Sequence, residues 1–232
     1  MRDVFRLADH AQCHALAGFF GGRLCEVLAA NRPGRRFRGG EFLYLTGDPA
    51  HSTYYVRGGL VKTGLTSADG DEITLRLHKA GEFVGESCLC TGERREHARA
   101  MEDSEIVELP FAEFVAHLQH NPEALLDFLS VVSERLAEVN EQLLSVSVDG
   151  VEVRLVRTLL RLADDLGEPT ATGLRIAHYI SQEELARMVG ARREVVSRVL
   201  NQLRKKALVG YSRKGPIQVD RSLLAAYLDS IA

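Results

Sequence analysis

Five polar side chains between residues 192 and 198 have the chemistry needed to hydrogen-bond to nucleic acid bases. They are Arg192, Arg193, Glu194, Ser197 and Arg198, and they share one face of a predicted helix. Guanidinium and carboxylate groups match the donors and acceptors on base edges in the major groove. The alternative interpretation is a helical hairpin with a solvated charged face. We favour DNA binding, because the basic residues lie where base edges would be reached.

Two predicted helices position this polar face. The first begins at Ser181, because Ser181 and Glu184 have the spacing of a capping box. A tight turn at Gly190–Ala191 separates it from the second helix, whose apolar face comprises Val195, Val196, Val199, Leu200 and Leu203. This arrangement is typical of a helix-turn-helix, in which the second helix lies in the major groove of DNA.

The distribution of charge divides the chain into two parts. The 232 residues have a formal net charge of −3, yet residues 175–221 contain eleven Lys and Arg against four Asp and Glu. Residues 1–174 contain eighteen basic against twenty-seven acidic side chains. A basic C-terminal module joined to an acidic body is typical of a regulator with a sensing part and a nucleic-acid-binding part.

Residues 35–109 have the pattern of a β-rich domain. Ile73, Leu75 and Leu77 alternate with polar residues, and turn signals recur at 39–40, 47–49, 58–59, 69–71, 81 and 92. Short strands separated by frequent turns predict an antiparallel barrel or jelly roll. A short helical pattern within residues 1–34 precedes this domain.

A heptad repeat follows the β-rich region. Apolar residues alternate at spacings of four and three, at Leu125, Leu129, Val132, Leu136, Val139, Leu143 and Val146. These seven residues are called the seam. Because such a repeat forms two-helix coiled coils, we predict that two copies of the chain associate along it. A helix buried within one chain is the alternative. Off the seam, Leu126, Phe128 and Leu144 are expected to pack on the barrel.

The C-terminal part contains further elements around the helix-turn-helix. After a hinge at Asp149–Gly150, a helix is predicted over about 151–166, then strands at 174–177, 209–211 and 217–219. The last two strands form a wing, on which Arg213 and Lys214 are predicted to contact DNA phosphates. The fold class is therefore α+β. The predicted domains are an effector-sensing β-roll at 1–121, a dimerisation helix at 122–149 and a winged helix-turn-helix at 150–232.

These features together resemble the CRP/FNR family of bacterial transcription regulators over nearly the whole chain. The motifs that carry the resemblance are Gly47-Asp48 with Val56-Arg-Gly-Gly-Leu-Val-Lys62, Gly81-Glu-Phe-Val-Gly-Glu86, and Glu194-Val-Val-Ser-Arg198. The family implies a cytoplasmic homodimer that binds a two-fold related DNA site and contacts RNA polymerase. It also implies that Arg193, Glu194 and Arg198 read bases in half-sites similar to TGTGA or TTGA.

The resemblance also implies an effector pocket in the barrel. In cyclic-nucleotide-binding relatives, a Gly-Glu pair, an Arg-Ser pair and a Thr-Ser pair hold the ligand, and Gly85, Glu86 and Arg94 match. Arg95 replaces the serine, and Val139-Asn140 replaces Thr-Ser. A lost buried hydrogen-bonding partner costs about 1–3 kcal/mol. We therefore predict an effector other than cAMP, with a cAMP-responsive activator as the alternative.

Cysteines offer a second route to sensing. Cys88 and Cys90 fall inside the pocket motif, so a regulator that senses redox or nitrosative stress through thiols or haem is an alternative. An iron–sulfur cluster needs clustered cysteines, and Cys13 and Cys25 lie far apart. A helical spacing that suits metal binding also occurs at His10, Cys13 and His14, but an exposed helix explains it more simply. We predict no metal site.

Other classes of function find little support in the sequence. No nucleophile elbow, Walker loop or paired-histidine hydrolase motif occurs, so we predict that the chain is not an enzyme. No apolar run reaches the length of a membrane span, and the four cysteines lack framework spacing, which together predict a cytoplasmic protein with no membrane partner. A cyclic-nucleotide-binding subunit of an enzyme is disfavoured by the basic segment 175–221.

Overall fold

The computed structural model describes residues 28–171, 173–211 and 215–231, and the chain forms two compact units. The first unit extends to Leu65 and resumes from Leu77 to Asn140; the second comprises Thr66–Arg76 and the chain from Glu141 onward. The predictions made for Arg213 and Lys214, and for the N-terminal His10, Cys13, His14 and Cys25, lie outside the described residues.

A β-roll forms most of the first unit, as the turn spacing predicted. Its strands are β1 (Arg35–Phe37), β2 (Phe42–Tyr44), β3 (Ser52–Gly58), β4 (Leu60–Thr66), β5 (Glu72–Lys79), β6 (Phe83–Val84), β7 (His97–Ala100) and β8 (Ser104–Pro110). They form two four-stranded sheets, with orders β1-β8-β3-β6 and β2-β7-β4-β5. Apolar side chains from both sheets fill the interior, among them Phe37, Val56, Val61, Val84, Ala98 and Ile106.

Two helices follow, α1 (Phe111–His120) and α2 (Pro122–Val148), and α2 belongs to this unit as far as Asn140. Phe114 of α1 and Phe128 of α2 pack on Phe83 of β6, with ring centroids 6.1 and 5.9 Å from that of Phe83. The expectation that Phe128 packs on the barrel is therefore confirmed. The same expectation is wrong for Leu126 and Leu144, because 64% and 62% of their surfaces remain exposed.

The second unit contains the rest of α2 and a compact module. Its elements are α3 (Val151–Leu166), β9 (Gly167–Thr170), β10 (Gly173–Ile176), α4 (Gln182–Val189), α5 (Arg193–Lys205), β11 (Val209–Gly210), β12 (Gln218–Val219) and α6 (Arg221–Ile231). One antiparallel sheet has the order β11-β12-β10-β9. Helices α4 and α5 are the predicted helix-turn-helix, and β11 and β12 are the strands of the wing. The α+β fold class is confirmed.

Strand β9 was not predicted from the sequence. Gly167 and Pro169 indicate the end of a helix, and the chain does leave α3 there, but it then pairs with β10 through Gly173–Ile176. Gly167 permits this reversal because a Cβ at that position would collide with the carbonyl oxygen of Ala163. The apolar core of the module includes Leu155, Leu159, Ile176, Leu185, Val196, Leu200, Leu203 and Leu224, all buried.

Candidate DNA-binding and effector sites

Local capping fixes the two helices of the helix-turn-helix. Ser181 is the N-cap of α4, and its Oγ accepts a hydrogen bond from the Glu184 amide at 3.1 Å. Gly190 ends α4 in the left-handed conformation, with φ 60° and ψ 51°, which a glycine adopts without steric cost. The Glu184 carboxylate accepts a hydrogen bond from Thr74 Oγ1 and lies 3.5 Å from Arg187 Nη1.

The polar face of α5 is open to solvent. Arg193, Glu194 and Arg198 are exposed, Ser197 is half-buried, and Arg192 is the exposed N-cap residue that precedes the helix. The opposite face is buried through Val196, Val199, Leu200 and Leu203. The structure therefore brings all five predicted base-reading residues together around the first two turns of α5. No ion pair engages Arg192, Arg193, Glu194 or Arg198 within the described part of the chain.

Hydrogen bonds fix the corner between α2 and α3. Asp149 Oδ2 accepts from Ser145 Oγ at 2.5 Å and from Arg157 Nε at 3.2 Å. Arg154 of α3 donates to the carbonyl oxygens of Asp149 and Val189, each at 2.9 Å. Because Val189 is the last residue of α4, Arg154 connects the corner directly to the turn of the helix-turn-helix and complements the negative end of that helix.

The predicted effector residues Gly85 and Arg94 lie together inside the β-roll. Arg94 is 2% exposed, and it donates to the carbonyl oxygens of Gly85 at 3.2 Å and Ser52 at 2.6 Å. Its guanidinium carbon lies 4.1 Å from the ring centroid of Tyr44 and 5.3 Å from that of Tyr54. Cation–π contacts and carbonyl acceptors therefore hold Arg94 inward.

An arginine of α2 pairs with the acidic residue of the pocket motif. Arg135 forms an ion pair with Glu86, donates to the Phe83 carbonyl oxygen at 3.1 Å and covers the Phe83 ring at 4.7 Å from its centroid. Beside this pair, Glu86 Oε2 and Arg94 Nε are buried without a hydrogen-bond partner in the residues that the structure describes. A polar ligand could satisfy these two atoms with a donor and an acceptor.

A second carboxylate lies beside Arg94. Glu96 Oε1 accepts hydrogen bonds from Ser87 Oγ at 3.2 Å and from Tyr44 Oη at 3.4 Å. Burial raises the pKa of Glu96 above its ordinary value, with the two hydrogen bonds opposing part of that shift. Burial, assisted by the charge of Glu96, also raises the pKa of Tyr44.

Three other predicted effector residues do not join this group. Arg95 is exposed, and so are Val139 and Asn140 on α2. The two cysteines also separate, since Cys88 is fully buried with its Sγ 3.5 Å from Ser87 Oγ, whereas Cys90 is exposed.

Sequence reasoning missed Arg135, Tyr44 and Glu96. Arg135 gave no signal because it is separated from Glu86 by 48 residues of chain and is one of many charged residues beside the seam. Tyr44 gave no signal either, because a tyrosine in a predicted strand is ordinarily a core residue. Glu96 lies in a polar stretch that a solvated turn explains equally well.

Within the described ranges, no group of three or more His, Cys, Asp or Glu side chains is placed to hold a metal ion. None of the described helices is long and apolar enough to cross a membrane.

All seven seam residues of α2 are exposed in the protomer. Their exposed fractions range from 39% at Val132 to 66% at Leu143. An apolar row on this scale is unusual on a solvent-facing helix and is typical of an interface.

Two family models match the chain. One describes a cyclic nucleotide-binding domain and matches residues 34–121, and the other describes a Crp-like helix-turn-helix domain and matches residues 153–227. The cyclic AMP receptor protein of Thermus thermophilus is 33% identical over 199 residues, which cover 85% of this chain and 87% of that protein.

Solved structures are also similar. A CRP/FNR-family transcriptional regulator from Thermus thermophilus has 27% identity and a TM-score of 0.69, over 86% of this chain and 100% of that chain. The c-di-GMP responsive global regulator CLP of Xanthomonas campestris has the same identity and TM-score, over 85% of this chain and 98% of that chain.

Proposed function

Because this chain belongs to the CRP/FNR family of transcription regulators, we propose that it acts as a homodimer that binds a palindromic DNA site under the control of a small effector. The observation that carries the proposal is the exposed polar face of α5. An amphipathic helix with one buried apolar face and one exposed row of arginines and a glutamate suits insertion into the major groove.

DNA recognition is assigned to the first two turns of α5. Arg193 and Arg198 can each donate two hydrogen bonds to O6 and N7 of guanine, and Glu194 can accept from N4 of cytosine. These pairings favour half-sites similar to TGTGA or TTGA. Arg192 and Ser197 lie beside them and are assigned to phosphate or base contacts, and we make the same phosphate assignment for Arg213 and Lys214 of the wing.

Dimerisation is assigned to the seam of α2. The exposed apolar row would be covered by its counterpart in a second copy, at the knobs-into-holes spacing of a coiled coil. A two-fold related pair of α5 helices then fits half-sites about 34–36 Å apart, one turn of duplex.

The effector is proposed to be a compound other than cAMP. Two donor groups of Arg94 are already bonded to backbone carbonyls, and one oxygen of Glu86 is paired with Arg135, so most of the groups that a cyclic phosphate and ribose would use are engaged, and Arg94 Nε and Glu86 Oε2 are left for a different ligand. Relatives of similar identity carry names that refer to cyclic AMP and to c-di-GMP, so this fold serves more than one effector. A ligand that draws Glu86 away from Arg135 would change the packing of α2 and thereby bias the dimer.

Two measurements test the proposal. Fluorescence anisotropy with palindromic TGTGA and TTGA duplexes, and with a scrambled duplex of equal length, should give specific binding at least about 1000-fold tighter than non-specific binding. Equal affinity for all duplexes would contradict sequence-specific recognition. In thermal-shift measurements, cAMP at millimolar concentration should leave the melting temperature unchanged, whereas a true effector must raise it. An increase with cAMP would restore the cAMP-responsive alternative.

A further inference from the structure

The surface of α5 divides lengthwise into a buried strip, a strip opposite to it and two flanks. The buried strip contains Val196, Val199, Leu200 and Leu203, and the strip opposite contains Glu194 and Arg198. Arg193 and Arg204 are eleven positions apart, which at about 100° per residue places them within about 20° of each other around the axis. They therefore share a flank between the buried strip and the base-reading strip, separated by about 16 Å along the helix.

A groove of about 400 Å³ follows this flank. Its walls are Arg193 and Arg204 of α5, Tyr179 before α4, the N-cap and first two residues of α4 at 181–183, and Tyr211 after β11. Both arginines are exposed, Tyr179 is 51% exposed and Tyr211 is half-buried. The acidic side chain of the groove is Glu183, whose Oε1 lies 4.0 Å from Arg187 Nη2.

The dimensions of DNA determine what this flank meets. The major groove is about 12 Å wide, and a helix with its side chains is about 10–12 Å across. When Glu194 and Arg198 face the bases, the two flanks of α5 must therefore lie against the sugar–phosphate backbones that border the groove. Arg193, at the N-terminal end of α5, keeps its assignment to guanine, whereas Arg204 at the other end of the flank is complementary to the phosphates of one of these backbones.

We propose that the groove receives the sugar–phosphate backbone of the DNA strand beside α5. Arg204 binds a phosphate through its guanidinium fork, and Tyr211 donates its hydroxyl to a phosphate oxygen. This role is separate from base reading, because Arg204 lies about three turns beyond Arg193, at the C-terminal end of α5. The inference rests on the proposed DNA binding of α5 and adds the residues that fix the position of the helix in the major groove.

Anisotropy titrations of the full-length protein from about 50 to 200 mM salt test the role of Arg204. Arg204→Gln should weaken binding to the palindromic and scrambled duplexes by the same factor and reduce the slope of log affinity against log salt by about 1 per protomer. Arg204→Lys should keep the slope of the wild type, because it keeps the charge, and lose affinity through the missing fork. Tyr211→Phe should weaken binding without a change in slope.

Lys206→Gln is the matched control. It removes the same charge two residues away, but Lys206 Nζ donates to Tyr227 Oη at 2.6 Å and so points toward α6. The proposal is overturned if Arg204→Gln binds like the wild type at every salt concentration, or if Lys206→Gln reduces the slope equally. If the wild type binds no duplex even at the lowest salt concentration, where phosphate contacts alone should retain DNA, the proposed function fails and this inference fails with it. Wild-type binding with an unaffected Arg204→Gln rejects the groove alone.

Discussion

Arg135 of α2 forms an ion pair with Glu86 of the pocket motif, and both side chains are mostly buried, with 15% and 12% of their surface exposed. The pair joins the helix that carries the seam to the acidic residue on which effector binding is expected to depend. An effector can bind Glu86 Oε2, which has no hydrogen-bond partner among the described residues, but it must displace Arg135 to use the other oxygen. We therefore propose that the packing of α2 responds to an effector bound at Glu86.

The Arg135–Glu86 pair should contribute measurably to stability. Loss of one partner leaves a mostly buried charge, so Arg135→Gln and Glu86→Gln should each lower the free energy of unfolding by about 1–3 kcal/mol. The double variant should be less destabilised than the sum of the two, with a coupling energy of about 0.5–3 kcal/mol in urea unfolding. Arg157→Gln, which breaks a more exposed pair with Asp149, should cost about 1 kcal/mol or less. Additive effects at positions 86 and 135 would show that the pair does not act as a unit.

Arg198 should determine sequence preference. Arg198→Ala removes a bidentate contact with guanine, so discrimination between the palindromic and scrambled duplexes should fall by about 1–3 kcal/mol. Competition gel shifts measure this difference. Arg175→Ala is a suitable control, because Arg175 is an exposed arginine of the same unit that pairs with Glu168 on the neighbouring strand. Unchanged preference in Arg198→Ala would reject its assignment as a base-reading residue.

The seam should control the oligomeric state. Leu136→Glu introduces a charge at a seam position, so light scattering should detect dissociation to protomers at micromolar concentration, and affinity for the palindrome should fall. Leu144→Glu is the control, since Leu144 is equally exposed, at 62%, but lies off the seam. A protomer that binds the palindrome with full affinity, or equal dissociation in both variants, would contradict the coiled-coil proposal.

Glu96 should make stability depend on pH. Burial raises the pKa of Glu96 in the folded state, so the folded protein favours the protonated carboxyl. The resulting contribution to stability is fully present below the ordinary pKa of about 4.5. It is lost as the pH rises through the raised pKa of the folded state. Glu96→Gln cannot lose a proton, yet its side-chain oxygen can still accept from Ser87 and Tyr44. The free energy of unfolding of Glu96→Gln, measured relative to that of the wild type, should therefore increase from pH 4 upward and then level off. Glu93→Gln removes an exposed charge from the same loop and corrects for net charge. A pH-independent difference would contradict a buried, titrating Glu96.

The side chains that strand β5 buries differ from those that its sequence pattern predicts. The alternation of Ile73, Leu75 and Leu77 with polar residues correctly predicts a strand, and the apolar set would ordinarily face the core. In the structure Ile73 is 48% exposed, whereas Thr74 and His78 are buried. Thr74 donates to Glu184, and Thr63 Oγ1 of the neighbouring strand β4 lies 3.2 Å from His78 Nε2, so both buried polar side chains of β5 have polar partners outside the strand.

The amino-acid sequence by itself determined those features that depend on neighbours in the chain: the Ser181 cap, the turn at Gly190, the two faces of α5 and the spacing of the seam. Helical periodicity and capping act over a few residues, so their signals are complete within short windows. Only the tertiary structure decided that Arg135 meets Glu86, that Arg94 turns inward onto Tyr44, and that Cys88 and Cys90 separate. Each of these outcomes depends on which side chains the fold brings together from separate parts of the chain. A local sequence pattern indicates whether a helix or strand face is buried, but it does not specify which residues that face contacts.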